Sequence, residues 1–268
     1  MSFFKNAVHR RIALGAAIAL PLAALAMPAA ATHSWAGYHW ARTANPFTLK
    51  VGDNVDANWD AYLDTTNTDW TKSTVLDTVK VAGSVSNVKR CNAQAGTVQV
   101  CNSTYGGTGW LGIASISISG GTHITQGTVK LNDTYFNTAK YNTPAWKNLV
   151  SCQEVGHTLG LGHQDEVFDN ANLDTCMDYT NLPESNQHPN AHDYEELGII
   201  YQHLDSTTTL SAQTVAAAAD VGDTPATWGR PVHFDRQGRP NIFERIDGPG
   251  RSTLTHVFWA LGEGPRGR

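Results

Sequence analysis

Between Cys152 and Asp165 the sequence reads CQEVGHTLGLGHQD, and several of its residues have types and spacing suited to holding a metal ion beside a base. Gln153 and His157 are four apart, so on a helix they share a face and can point at one ion. Glu154 follows Gln153 and can reach a water bound to that ion. Gly160 lets the chain leave the helix through a conformation costly for other residues. The turn after it brings in His163 as a third donor. Imidazole nitrogen is a donor that zinc favours. The Gln153 amide oxygen reaches about as far from the backbone as the far nitrogen of a histidine and is equally neutral, but it is a weaker zinc donor.

Set against the pattern H-E-x-x-H-x-x-G-x-x-H, the stretch matches at every demanded position except the first, where Gln153 stands. Further on comes Cys176-Met177-Asp178-Tyr179, which reads as the Met-turn that follows this pattern. On these residues the chain resembles the metzincin metalloproteases, the clan of matrixins, astacins, serralysins and adamalysins. The resemblance is specific from Trp146 to Tyr179, looser from Phe47 to Leu204, and does not extend past that point. It implies an α/β (α+β) catalytic domain with a twisted mixed sheet, a long active-site helix ending near Gly160, the Met-turn and a C-terminal helix. It implies a zinc endopeptidase with metal ligands Gln153, His157 and His163. There the zinc would activate a water whose proton Glu154 takes as general base and returns to the leaving amine. Met177 would be a hydrophobic floor, and Tyr179 a helper for the oxyanion. The resemblance also implies that the strand around Leu111–Ser117 is a free sheet edge that pairs with bound peptide.

Gln153 leaves two readings open. In one it is a weak ligand in a working peptidase; in the other the protein is catalytically inactive and binds peptides or proteins without cutting them. A purely structural metal site explains less, because it has no use for a Glu beside a ligand. Asp165, Glu166, Asp169 and Asp174 offer a calcium site or else a solvated loop, and Asp165 is a conceivable substitute ligand for the main ion.

The elements that must position these groups can be read in outline. Phe47–Val51, Val75–Val81, Thr97–Val100, Trp110–Ser119 and Gly127–Asn132 read as strands. Val55–Leu63 has helical spacing. Thr143-Pro144 starts the helix that carries the motif. Pro189–Leu204 reads as a last helix with Asn190 as its N-cap. His123 falls between two strands and reads as a loop histidine, with no partner at useful spacing. The aromatic and histidine-bearing stretch Thr32–Asn45 reads as inert.

Lys5, Arg10 and Arg11 followed by the apolar run Ile12–Ala26 and Pro28-Ala29-Ala30-Ala31 predict a secretory signal peptide over residues 1–31. The expected protein is therefore secreted and needs no membrane once processed. Residues 32–205 read as the metallopeptidase domain. Residues 206–268 read as a linker and a C-terminal appendage of unknown role. A formal net charge of −5 without a basic stripe argues against nucleic acid as partner. A peptide or protein substrate and a monomeric state are expected. The four cysteines form an even set in an oxidising compartment. Three pairings are possible; Cys91–Cys101 with Cys152–Cys176 is favoured, since a metal would already hold the second pair of segments together.

Overall fold

The computed structural model describes Met1, residues 32–211 and residues 220–265. Apart from Met1, the expected signal peptide lies outside the described residues, as does 212–219 of the expected linker. The chain divides into Met1–Ala31 and Thr32–Arg268, and the second unit carries the fold set out below. Among the described residues no helix is long and apolar enough to cross a membrane.

The fold is mixed α/β, with a nine-stranded sheet and four α-helices among the described residues. The strands are β1 His39–Trp40, β2 Phe47–Asn54, β3 Leu76–Ala82, β4 Thr97–Ser103, β5 Trp110–Ser119, β6 His123–Asn132, β7 Arg230–Phe234, β8 Pro240–Gly248 and β9 Arg251–Trp259. The helices are α1 Asp60–Trp70, α2 Asp133–Phe136, α3 Pro144–Thr158 and α4 Ala191–Ile200. The sheet order is β3-β2-β4-β6-β5-β9-β8-β7, with β1 also paired to β6. Pairing is parallel from β3 to β6 and antiparallel from β6 to β7.

β2 shows the alternation of a strand with one solvated face: Phe47, Leu49 and Val51 are buried while Thr48 and Lys50 are exposed. β5 is buried nearly throughout, which explains why its alternation fails at Ala114-Ser115. Helices α1 and α3 cover one face of the sheet with a large core that includes Trp70, Leu111, Val150 and Val155. A smaller core of Trp110, Ile113, Val257, Trp228 and Trp259 closes the other. A strand packed on both faces reads as a continuous apolar run.

Helix α1 begins later than the sequence spacing suggests, at Asp60, and runs on to Trp70. Its buried stripe is Leu63, Thr66, Asp69 and Trp70, so two polar residues occupy core-facing turns. They are partnered there: Thr66 bonds the Ser151 hydroxyl at 2.8 Å, and Asp69 takes Lys72 at 2.7 Å and His188 at 2.6 Å. α3 starts as expected, with the Thr143 hydroxyl accepting from the Trp146 amide and Pro144 in the first turn. α4 is shorter than expected, Ala191–Ile200, but it is capped at Asn190 as predicted, with Asp193 completing a capping box.

The largest departure is after residue 205. The expected appendage is part of the main sheet: β9 pairs with β5 from Trp110↔Trp259 to Ser119↔Arg251, and β8 and β7 follow. β5 is therefore no free edge, because β6 holds one side and β9 the other. Both disulfides take the favoured pairing, Cys91–Cys101 and Cys152–Cys176.

Candidate metal centre

Gly160 ends the motif helix with φ +99°, and a Cβ there would lie 2.1 Å from the Tyr38 carbonyl oxygen. Only glycine permits both that conformation and that approach. The turn carries the chain to His163, whose ring centroid comes 4.7 Å from that of His157. Met177 lies against α3 at Gly156, where a Cβ would meet its sulfur at 2.7 Å.

A third imidazole joins these two. His256 of β9 places its ring centroid 3.8 Å from His157 and 4.6 Å from His163. One nitrogen of each of the three rings lies within 4.8 Å of the others. Sequence reading missed His256. The signal was weak: β9 is buried from Thr253 to Trp259 without a break, and only the two-residue register of His256 with Leu254 and Phe258, which join the main core, puts it on the inner face.

Each ring is oriented from behind. His157 Nδ1 lies 2.8 Å from the Leu161 carbonyl oxygen and must donate to it, which leaves Nε2 bare. His163 Nδ1 faces Glu166 Oε1 at 3.0 Å, with the same result. His256 Nε2 lies 3.0 Å from the Tyr179 hydroxyl, and in the tautomer where it donates there, Nδ1 is the bare atom. The Asn241 amide bonds both Tyr179 and Glu166, tying the two supports together. Tyr179 thus has a satisfied hydroxyl and holds His256.

Glu154 is fully buried, and neither carboxylate oxygen has a hydrogen-bond partner. His256 Nδ1 lies 3.6 Å away, longer than a hydrogen bond. Burial pushes the Glu154 carboxyl well up from its ordinary range. Burial also pushes His157 and His256 well down, with repulsion between the neighbouring imidazoles adding to it. Gln153 donates its amide N–H to the Cys176 carbonyl at 2.6 Å, and its Oε1 is buried without a partner. That oxygen is the only atom Gln153 has left to offer an ion.

These atoms test whether a cation fits. Gln153 Oε1, both Glu154 oxygens, His157 Nε2, His163 Nε2 and His256 Nδ1 are all buried and unpaired. Native interiors pair such atoms, and the three ring nitrogens, which lie within 4.8 Å of one another, fit a cation. The donor set of imidazoles with a carboxylate nearby suits zinc.

The acidic stretch after His163 makes no comparable cluster. Asp165 accepts from the Val167 amide at 2.8 Å and from Asn170, while Glu166 is engaged with His163. The stretch Thr32–Asn45 is far from inert. Ser34 bridges to Leu161, and Trp35 stands edge-on to His157 at 5.7 Å. His33 is buried beside Asp193 at 3.1 Å. A cavity of about 630 Å³ opens over the three histidines, walled by Trp35 and Tyr38 on one side and by Val232, Ile242 and Leu254 on another.

Gly112 of β5 makes room for Glu154. A Cβ at that position would come 2.7 Å from Val150, 2.8 Å from Glu154 Cγ and 2.9 Å from Glu154 Oε1. Gly112→Ala is expected to lower stability by about 1–3 kcal/mol in a denaturant titration. Any turnover should fall by up to about 100-fold, because the carboxyl is displaced. Gly121→Ala, where a Cβ meets nothing, serves as the control for adding a methyl group without crowding, although its positive φ carries a backbone strain of its own.

Compared with models of known protein families and with curated proteins, the sequence matches none.

Proposed function

We propose that this chain is a secreted, zinc-dependent endopeptidase of metzincin-like design, with the ion held by His157, His163 and His256 and with Glu154 as general base. The observation that carries the reading is the convergence of three outwardly supported imidazoles, each with a bare nitrogen, beside a buried carboxyl that has no partner. When bound, the ion would polarise a carbonyl and lower the pKa of a water.

The chain's own residues do the rest. Leu161 and Glu166 fix the far-side protons of His157 and His163, and Tyr179 holds the His256 ring at Nε2. Burial raises the proton affinity of Glu154, which suits a group that must take a proton from water and hand it to an amine. The volume above the rings falls in the usual range for a ligand site, about 300–1,000 Å³. Trp35, Val232 and Leu254 offer apolar contact to side chains, and Arg236 and Glu244 offer charges to the backbone or termini of a peptide. Gln153 becomes a spare donor in this arrangement, since His256 supplies the imidazole that the motif lacks.

The inactive-binder reading draws on one observation: β5 is paired on both sides, so a peptide cannot be aligned along it. A digest of casein and of a peptide library decides between the two. Cleavage that stops with a chelator and returns with zinc supports the peptidase. Peptide retention by the zinc-loaded chain with no new termini in the mass spectrum supports the binder.

A further inference from the structure

The geometry points to a second metal site, at the opposite end of the N-terminal segment, formed by His39, His203 and Asp205. These three side chains come from β1 and from the stretch just beyond α4. Their ligand atoms lie within 4.8 Å of one another. His39 Nε2 is 3.2 Å from His203 Nε2 and 3.6 Å from Asp205 Oδ1, and His203 Nε2 is 3.8 Å from the same oxygen. Donors on a tetrahedral zinc at about 2.0–2.1 Å stand about 3.3 Å apart, so these separations are those of a ligand set and need little adjustment.

The protons argue the same way. His39 Nδ1 lies 2.8 Å from the Gly37 carbonyl oxygen, which can only accept. With its Nδ1–H donated there, His39 turns Nε2 toward a carboxylate oxygen and a second imidazole, and His203 Nε2–H can donate to it at 3.2 Å. A divalent ion taking the place of that proton would be shared by all three groups. Asp205 is also prepared for the role. Its Oδ2 is held by the Arg42 guanidinium at 2.9 Å and by the Arg42 amide at 3.1 Å, which leaves Oδ1 turned to the histidines. His123 Nε2 approaches Oδ1 at 3.2 Å and steadies the carboxylate from outside the ligand set. Such outer partners are usual around metal ligands. Two nitrogens and one oxygen suit a borderline divalent ion such as zinc, and do not suit calcium or magnesium. His203 is half-exposed, so water can take the remaining position.

The site has a structural task. β1 is two residues long and pairs only at His39↔His123 and Trp40↔Ile124. An ion on His39 ties that short strand to the end of α4, and so fixes the segment Ser34–Tyr38 that walls the cavity over the other histidines. The proposal does not depend on the endopeptidase reading.

The test is metal content of the tag-free chain, stripped with chelator, reloaded with Zn²⁺ and dialysed. The parent is expected to hold two equivalents, His203→Ala one, His163→Ala one, and the double variant none. Zn²⁺ should raise the melting temperature of His163→Ala and leave that of the double variant unchanged. His123→Ala should weaken retention by about 10- to 100-fold without removing the site. If the first centre holds no metal, the parent would carry one ion, kept in His163→Ala and lost in His203→Ala, and the second site would stand. Equal zinc content in the parent and His203→Ala overturns it. The His203 side chain is half-exposed, and its backbone bond to Arg42 survives truncation to Ala, so that variant is expected to fold, and circular dichroism checks this.

Discussion

His256→Ala is expected to strip the first centre of zinc as thoroughly as His157→Ala does, although it lies outside the recognisable motif. Both variants remove an imidazole whose bare nitrogen faces the other two. Zinc loss to a chelator should speed up by more than the roughly 100-fold that removal of an outer-shell partner brings. Cleavage should fall to background. Gln153→Ala is the comparison: its amide nitrogen is engaged with the Cys176 carbonyl and only its oxygen is left unpaired, so its loss should cost much less. Gln153→His would add a fourth imidazole and slow zinc loss if that oxygen position is within reach of the ion. Equal zinc retention in His256→Ala and the parent would remove β9 from the site and return the weight to Gln153.

The second large effect is at Glu154, where function and stability should move in opposite directions. Glu154→Gln should lower turnover by about 10²–10⁴-fold, the usual contribution of a general base, with zinc content unchanged because the group is not a ligand. In the metal-free chain the same change should raise stability. The folded-state pKa of Glu154 is raised by burial, so ionised Glu154 opposes folding. The parent is unaffected below the unfolded carboxyl value, then loses stability as pH rises through the folded value. The gain from Gln should therefore be absent in acid and grow toward neutral pH, as read from denaturation midpoints of the stripped proteins. A constant difference at all pH values would mean that charge is not its cause.

The sequence made some of this architecture plain and hid the rest, for reasons that can be named. α3 carried its own start, Thr143-Pro144, and its own stop, Gly160, so the spacing of His157 and His163 could be read directly. β2 alternated because one of its faces is wet. α1 was misplaced because Thr66 and Asp69 lie on its buried stripe, and their polarity conceals the helical period. β5 and β6 lack clean alternation because both faces are covered. α4 stops short of Leu204 because Arg42 and Asn45 capture the Tyr201 carbonyl and Arg42 also takes that of His203, which turns the following residues toward His39. The tail was the costliest error. Its Gly, Pro and Arg content reads as an appendage outside the main domain, either a short β unit or a partly ordered tail, yet Arg251–Trp259 is a central strand. Histidine ligands joined across so many residues leave no spacing to recognise; only the burial face of β9 could have disclosed His256.

The route of the chain through the sheet also sets a timetable. His157 and His163 are translated together, but His256 follows only after the whole of α4, β7 and β8. β9 follows β8 in a hairpin and must then pair with β5, a contact that bridges more than half of the length of the unit. Contacts between such distant residues form late in folding, after the cost of closing the intervening loops has been met. A nascent chain that has made only the motif holds two imidazoles and an unpaired carboxyl, and is a poor metal binder. On the proposed reading, the third imidazole arrives with the last strand to dock, so a chain that has not yet placed β9 would lack the proposed centre.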